Sequence, residues 1–287
     1  MYIQKRGFKR KTIAQTIEAK IGEWLETIED TELRKEVGNN YILTGGAIAS
    51  MLMGDQPNDY DVYIATADVA AKLAMYYVKQ LTGGDTSGVK VEKSEGRVEV
   101  KVESSGILDR KDMHGESKDS GKYKVLLVTS NAISLSNKLQ VVLRFVGPAE
   151  EIHKNYDFVH ATNYYTKASG LVLHQEALES SLARELKYVG SLYPVCSVFR
   201  IKKFINRGWT ITAGETLKIL FDVSKLDLSN IEVLEEQLTG VDTAYFADLI
   251  ARLERGDKDI DRAYLFDLIN DVFDGVESAE EAAEDEE

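Results

Sequence analysis

Apolar residues recur at helical spacing through Ile13, Ile17, Ile21, Trp24, Leu25 and Ile28, which predicts an amphipathic helix across 12–37 with a second short helix at its end. A β-prone run, 41–44, follows and stops at two glycines. Residues 47–53 return to a short helical pattern that Gly54 closes. Residues 59–65 alternate polar and apolar as a half-buried strand does, and 67–81 read as a helix ended by Gly83-Gly84. Strand-like runs occupy 89–91, 97–102 and 124–128, and the polar stretch 104–121 reads as a mobile loop or hairpin tip. Residues 138–146 are β-rich, 148–153 form one helical turn, and 156–161 are β-rich again. From about Gly170 the period becomes helical, with predicted helices at 171–188, 196–207, 213–221, 231–238, 244–255 and 261–273.

The expected fold class is therefore α+β, a mixed β-sheet with flanking helices followed by an all-helical domain. The expected division is a basic arm and helix at 1–38, a core at 39–167, a helical domain at 168–273 and an acidic tail at 274–287.

Composition changes this picture in three places. The lone cysteine, Cys196, excludes an intramolecular disulfide or a multi-cysteine zinc site, which fits a reducing cytoplasm, and in an apolar helix it reads as core. No stretch reaches the roughly 18 uninterrupted apolar residues of a membrane span and the basic N-terminus lacks an apolar signal core, so a soluble, unsecreted protein with no membrane partner is expected. The net charge of −13 argues against a nucleic-acid partner only until the tail is set aside. From Asp274 onward there are eight acids and no base, and the remaining forty acids against thirty-five bases leave a body charge of −5.

The stretch TGGAIASMLMGDQPNDYDVYI, residues 44–64, carries the candidate chemistry. Adjacent glycines between a strand and a helix let the backbone approach a ligand and leave the first helical N–H groups pointing outward, which suits a phosphate. Asp59 and Asp61, two apart on a strand, place both carboxylates on one face, as a divalent cation shared with phosphates requires.

These residues resemble the nucleotidyltransferase superfamily that includes DNA polymerase beta, poly(A) polymerases and tRNA CCA-adding enzymes. Its fingerprint reads here as LTGG, then AIASMLMG, then DYDVYI, closest in look to the CCA-adding and poly(A) polymerase branch. The resemblance implies a nucleotidyltransferase-type core that uses two Mg²⁺ (or Mn²⁺) ions to move NMP from an NTP to an acceptor hydroxyl. It implies Asp59 and Asp61 as ligands of both ions, and Thr44, Gly45 and Gly46 at the nucleotide. The family's third carboxylate lies on a neighbouring strand between apolar residues. Asp157 in NYDFVHA matches best, with Glu99 or Glu103 as alternatives. Where CCA-adding enzymes carry an Arg-Asp pair after the glycines, this chain has Ile48, Ala49 and Ser50, which suits a phage or mobile-element member better than a housekeeping tRNA enzyme.

The segment FRIKKFINRGW places Arg200, Lys202, Lys203 and Arg207 among apolar residues, either as a basic-faced surface helix or as a contact for a polynucleotide backbone. Arg184 and Lys187 could extend that face or bind triphosphate. His153, His160 and His174 lack zinc-site spacing and read as structural, with His160 pointing away from Asp157. The acceptor expected is the 3′ end of an RNA, tRNA-like. The alternatives are NMP transfer to a small molecule or protein, or a non-catalytic nucleotide-binding or assembly protein.

Overall fold

The computed structural model describes residues 6–94, 96–102, 107–109, 122–228 and 230–238. The expected helices 244–255 and 261–273, the acidic tail, Glu103 and most of 104–121 lie outside the described residues. The chain divides into a compact unit, Met1–Lys225, and a second, Leu226–Glu287.

In the first unit, α1 (Arg10–Glu26) and α2 (Thr31–Asn40) precede β1 (Tyr41–Thr44), α3 (Gly46–Met53), β2 (Tyr60–Ile64) and α4 (Ala67–Leu81). The break between the first two helices is made at Asp30, whose carboxylate accepts from the backbone N–H of Glu32 and Leu33 and so begins a new helix. Next come β3 (Val89–Ser94), β4 (Arg97–Val102), β5 (Ile107–Asp109), β6 (Val125–Thr129), β7 (Ala132–Leu135), β8 (Leu139–Val142) and α5 (Ala149–His153). A single 3₁₀ turn, Val159–Thr162, leads to β9 (Tyr164–Thr166), β10 (Gly170–Val172), α6 (Gln175–Ala183), β11 (Glu185–Leu186), α7 (Pro194–Asn206), β12 (Thr210–Ile211) and α8 (Ala213–Val223). The second unit contributes α9 (Ile231–Leu238).

Among the described residues, eight strands form one mixed sheet in the order β10-β9-β1-β2-β8-β7-β6-β5, with β2 and β8 parallel and the other neighbours antiparallel. Because side chains alternate across a strand, the register assigns each residue a face. One face carries Leu43, Val62, Val141 and Ile133, all fully buried, against Ile17, Trp24, Val37 and Leu73 of α1, α2 and α4. The Trp24 indole donates to the Tyr77 hydroxyl at 2.7 Å inside this core. The other face carries two successive rows. Ile42, Tyr63 and Val142 pack beneath Ala149 and Ile152 of α5, and one step along lie Thr44, Asp61, Gln140 and Ser134.

Two expectations are corrected. Residues 156–161 form no strand of the sheet, because their backbone groups have partners elsewhere. Phe158 makes an isolated bridge to Tyr188, and the Val159 N–H donates to the Lys187 carbonyl at 3.1 Å. The span 171–188 is not one helix. Leu171 and Val172 pair with β9, and α6 ends at Arg184, which adopts a left-handed conformation (φ 49°). The region expected to be all-helical thus opens on strands, and β11 and β12 make a small parallel pair within it. Phe158, Leu186, Tyr188, Trp209 and Ile219 form its core.

The N-terminal arm crosses the end of α3. The Phe8 N–H donates to the Met51 carbonyl at 2.9 Å, and Gly7 passes so close that a Cβ there would collide with the Leu52 carbonyl.

Candidate active site

The glycine pair begins α3. Gly45 adopts φ 95°, ψ −155°, a conformation reserved for glycine, and no side chain caps the helix start. Gly46 is exposed and has open space around its Cα, so the N–H groups of the first turn face outward. Gly45 also has a steric role: a Cβ on it would lie 3.1 Å from Asp61 Oδ2 and 3.8 Å from the Tyr156 hydroxyl. The loop and the second aspartate are therefore immediate neighbours, and Asp61 stands directly across the β1–β2 ladder from Thr44. Asp59, two residues earlier, is exposed and lies just ahead of β2, outside the paired residues.

Thr44 anchors the loop from below. Its fully buried hydroxyl lies 2.9 Å from the Asn163 carbonyl and 2.9 Å from His153 Nε2. Since the hydroxyl donates to the carbonyl, it accepts from His153, which assigns a proton to Nε2. Burial, with the neighbouring His174, pushes the His153 pKa down to about 4, in keeping with that assignment. The Gly45 N–H completes the anchor by donating to the Ala161 carbonyl at 3.1 Å. Tyr156 reaches in beside these groups. Its buried hydroxyl faces Tyr63, Thr44 and Asp61 without a well-formed hydrogen bond, and burial raises its pKa well above the ordinary value, so the phenol stays protonated.

Asp157, the expected third carboxylate, has a cationic partner. It is 9% exposed and its carboxylate accepts from Arg200 Nη1 at 2.5 Å. Among the described residues, no three His, Cys, Asp or Glu side chains gather as a metal site. Burial opposes the charge of Arg200, but Asp157 outweighs that and holds the guanidinium pKa above its ordinary value. Lys202, Lys203 and Arg207 are exposed on or just past α7. Glu99 lies on β4, 3.4 Å from Arg97 and outside the eight-stranded sheet.

Arg184 does not reach the glycine loop. It lies 3.7 Å from Asp55, beyond the far end of α3, roughly 12 Å along that helix from its first turn. Lys187 lies 3.9 Å from Glu179. His160 is buried among Phe204 and Trp209, with ring centroids 4.7 and 4.6 Å away. From the sequence, Gln140 and Tyr156 have no assigned role and His153 reads as structural. For Gln140 a signal existed, a polar residue inside the apolar run LQVV; for the other two, only the tertiary fold brings them to the loop.

The arrangement thus comprises an uncapped, glycine-led helix start and the Asp61 carboxylate beside it on the polar face of a mixed sheet. The chain belongs to the Gabija anti-defense 2 (Gad2) family, whose sequence profile matches residues 15–184, more than half of the chain. A curated relative, Gabija anti-defense 2 of Bacillus phage SPbetaL7, is 27% identical over 107 residues, which are 36% of this chain and 27% of that protein. Among solved structures, the fold is similar to the Thermotoga maritima CCA-adding enzyme complexed with tRNA (12% identity, TM-score 0.39), with 70% of this chain and 44% of that one covered. The Bacillus stearothermophilus CCA-adding enzyme in complex with CTP is similar at 15% identity and TM-score 0.38, covering 69% and 42%. This chain thus spans about half or less of the relatives it matches, and nothing below rests on these two likenesses.

Proposed function

We propose that this protein transfers NMP from an NTP to an acceptor hydroxyl with Mg²⁺ or Mn²⁺ held at Asp59 and Asp61, the acceptor being the 3′ end of an RNA. The observation that carries this reading is the closeness of loop and carboxylate: Asp61 Oδ2 lies 3.1 Å from where a Gly45 Cβ would stand. A triphosphate received by the first N–H groups of α3 then lies against the aspartates. Two hard oxygens alternating on one strand face fit such a cation. When bound, it lowers the pKa of the attacking hydroxyl and offsets charge at the α-phosphate.

The chain's own groups act around it. Thr44, held by His153 and Asn163, fixes the height of the glycine loop, and the protonated Tyr156 hydroxyl is available to donate to a phosphate oxygen. Lys202, Lys203 and Arg207 suit the backbone of a polynucleotide acceptor. Family membership favours a second acceptor: the Gabija machinery, as protein side chain or nucleotide, with the phage interfering by modifying it.

The test is incubation of the purified chain with Mg²⁺ or Mn²⁺, each α-labelled NTP and either total RNA or Gabija proteins, beside Asp59→Ala and Asp61→Ala. Label on RNA that needs both aspartates supports the first acceptor, and label on protein the second. If no NTP is consumed with either acceptor present, the catalytic reading fails.

A further inference from the structure

The row Thr44–Asp61–Gln140–Ser134 is fixed by three ladders: Thr44 opposite Asp61, Asp61 beside Gln140 on the parallel neighbour, and Gln140 opposite Ser134. Neighbouring strands lie about 4.8 Å apart, so side chains at paired positions on one face are within reach of one another. Gln140 cannot turn away, because Leu139 and Val141 on either side are buried in the opposite core. Its amide nitrogen points to Ser134 Oγ at 3.5 Å, on the side away from β2, which leaves Oε1 for the side of Asp61. On the β1 side of Asp61, next to Gly45, stands the Tyr156 hydroxyl, which is buried and lacks a well-formed partner of its own. The strand position next to Asp61 on its face thus carries an amide, and Asp157 pairs with Arg200.

We propose that Gln140 is the third protein oxygen of the Asp59–Asp61 cation site, so that the chain alone holds one divalent ion under two carboxylates rather than two ions under three. This inference rests on the cation reading of the preceding subsection.

The experiment is Mn²⁺ titration of the full chain without nucleotide, read by the room-temperature electron paramagnetic resonance signal of free Mn²⁺. Wild type is compared with Gln140→Ala, Gln140→Glu and Asp61→Asn, each checked by thermal melting. One Mn²⁺ per chain is expected for wild type, with affinity about tenfold weaker in Gln140→Ala and about tenfold tighter in Gln140→Glu. The glutamate variant keeps the test decisive if alanine loosens the sheet. Unchanged affinity in both Gln140 variants, with binding lost in Asp61→Asn, would overturn the role of Gln140 alone. Binding that survives Asp61→Asn would overturn the cation reading itself.

Discussion

On one face of the central sheet, Leu43, Val62, Val141 and Ile133 form a row with no exposure to water. One residue along each strand, on the other face, Thr44, Asp61, Gln140 and Ser134 form a row of oxygens and amides. The same backbone ladders hold both. The difference lies in the pleat, which separates the apolar residues that stabilise the sheet from the polar ones of the proposed site, although the two kinds alternate in sequence. A slip of one residue in register would exchange them, so the buried row also fixes the geometry of the polar one.

That separation can be broken most sharply at the aspartates. Asp59→Asn with Asp61→Asn should lower nucleotidyl transfer by about 10³-fold or more. The same pair should change unfolding free energy by only about 0.5 kcal/mol, as expected away from the core. Comparing turnover with chemical denaturation of the same samples checks both halves. Leu43→Ala should do the reverse, costing about 3 kcal/mol of stability through transfer and cavity terms, while the folded fraction keeps its NTP affinity.

His160 tests whether protons act through packing rather than through the site. Burial pushes its pKa down to about 4, so the folded state resists a proton that the unfolded chain accepts below about 6.5. Stability from this group is therefore complete above the unfolded value and falls as pH drops from about 6.5 towards 4, by up to about 3 kcal/mol. His160→Phe should flatten that part of the pH profile in denaturant melts.

Gly45→Ala joins the two faces in one substitution. Its φ of 95° is strained for any other residue, at about 2 kcal/mol, and the added methyl meets Asp61 Oδ2. A lower melting temperature with weaker NTP binding is expected; loss of stability alone would separate the loop from the ligand. The smallest effect is expected outside both rows. Charge reversal at Lys202, Lys203 and Arg207 should weaken RNA binding about tenfold and flatten its salt dependence without altering NTP affinity. Unchanged RNA binding would remove that acceptor.

The stretch from Thr44 to Ile64 was legible in the sequence because its determinants are local: a glycine pair, a short apolar helix and a polar–apolar alternation. The segment around Asp157 was not. Its composition is strand-like, but its hydrogen bonds go to Tyr188, Lys187 and Gly45, which are remote in sequence, and those partners settle its backbone. Pairing likewise set the neighbours of the two residues: Asp157 meets Arg200, and the uncharged Gln140 lies beside Asp61 on the adjacent strand. Periodicity gives the faces of a strand, but only register says which strand lies beside it.

Seen as a mechanical part, α3 is a beam fixed at both ends. Ala161 grips the loop at its start, and the arm at Gly7 and Phe8 lies across its last turn with no room for even a methyl group. Residues far upstream in sequence thereby help set the stiffness of the helix that would receive phosphate. Trimming that arm, or hanging a rigid fusion from it, would act as a remote throttle on the glycine loop, whereas a change of equal size on the exposed side of α7 would leave the beam undisturbed.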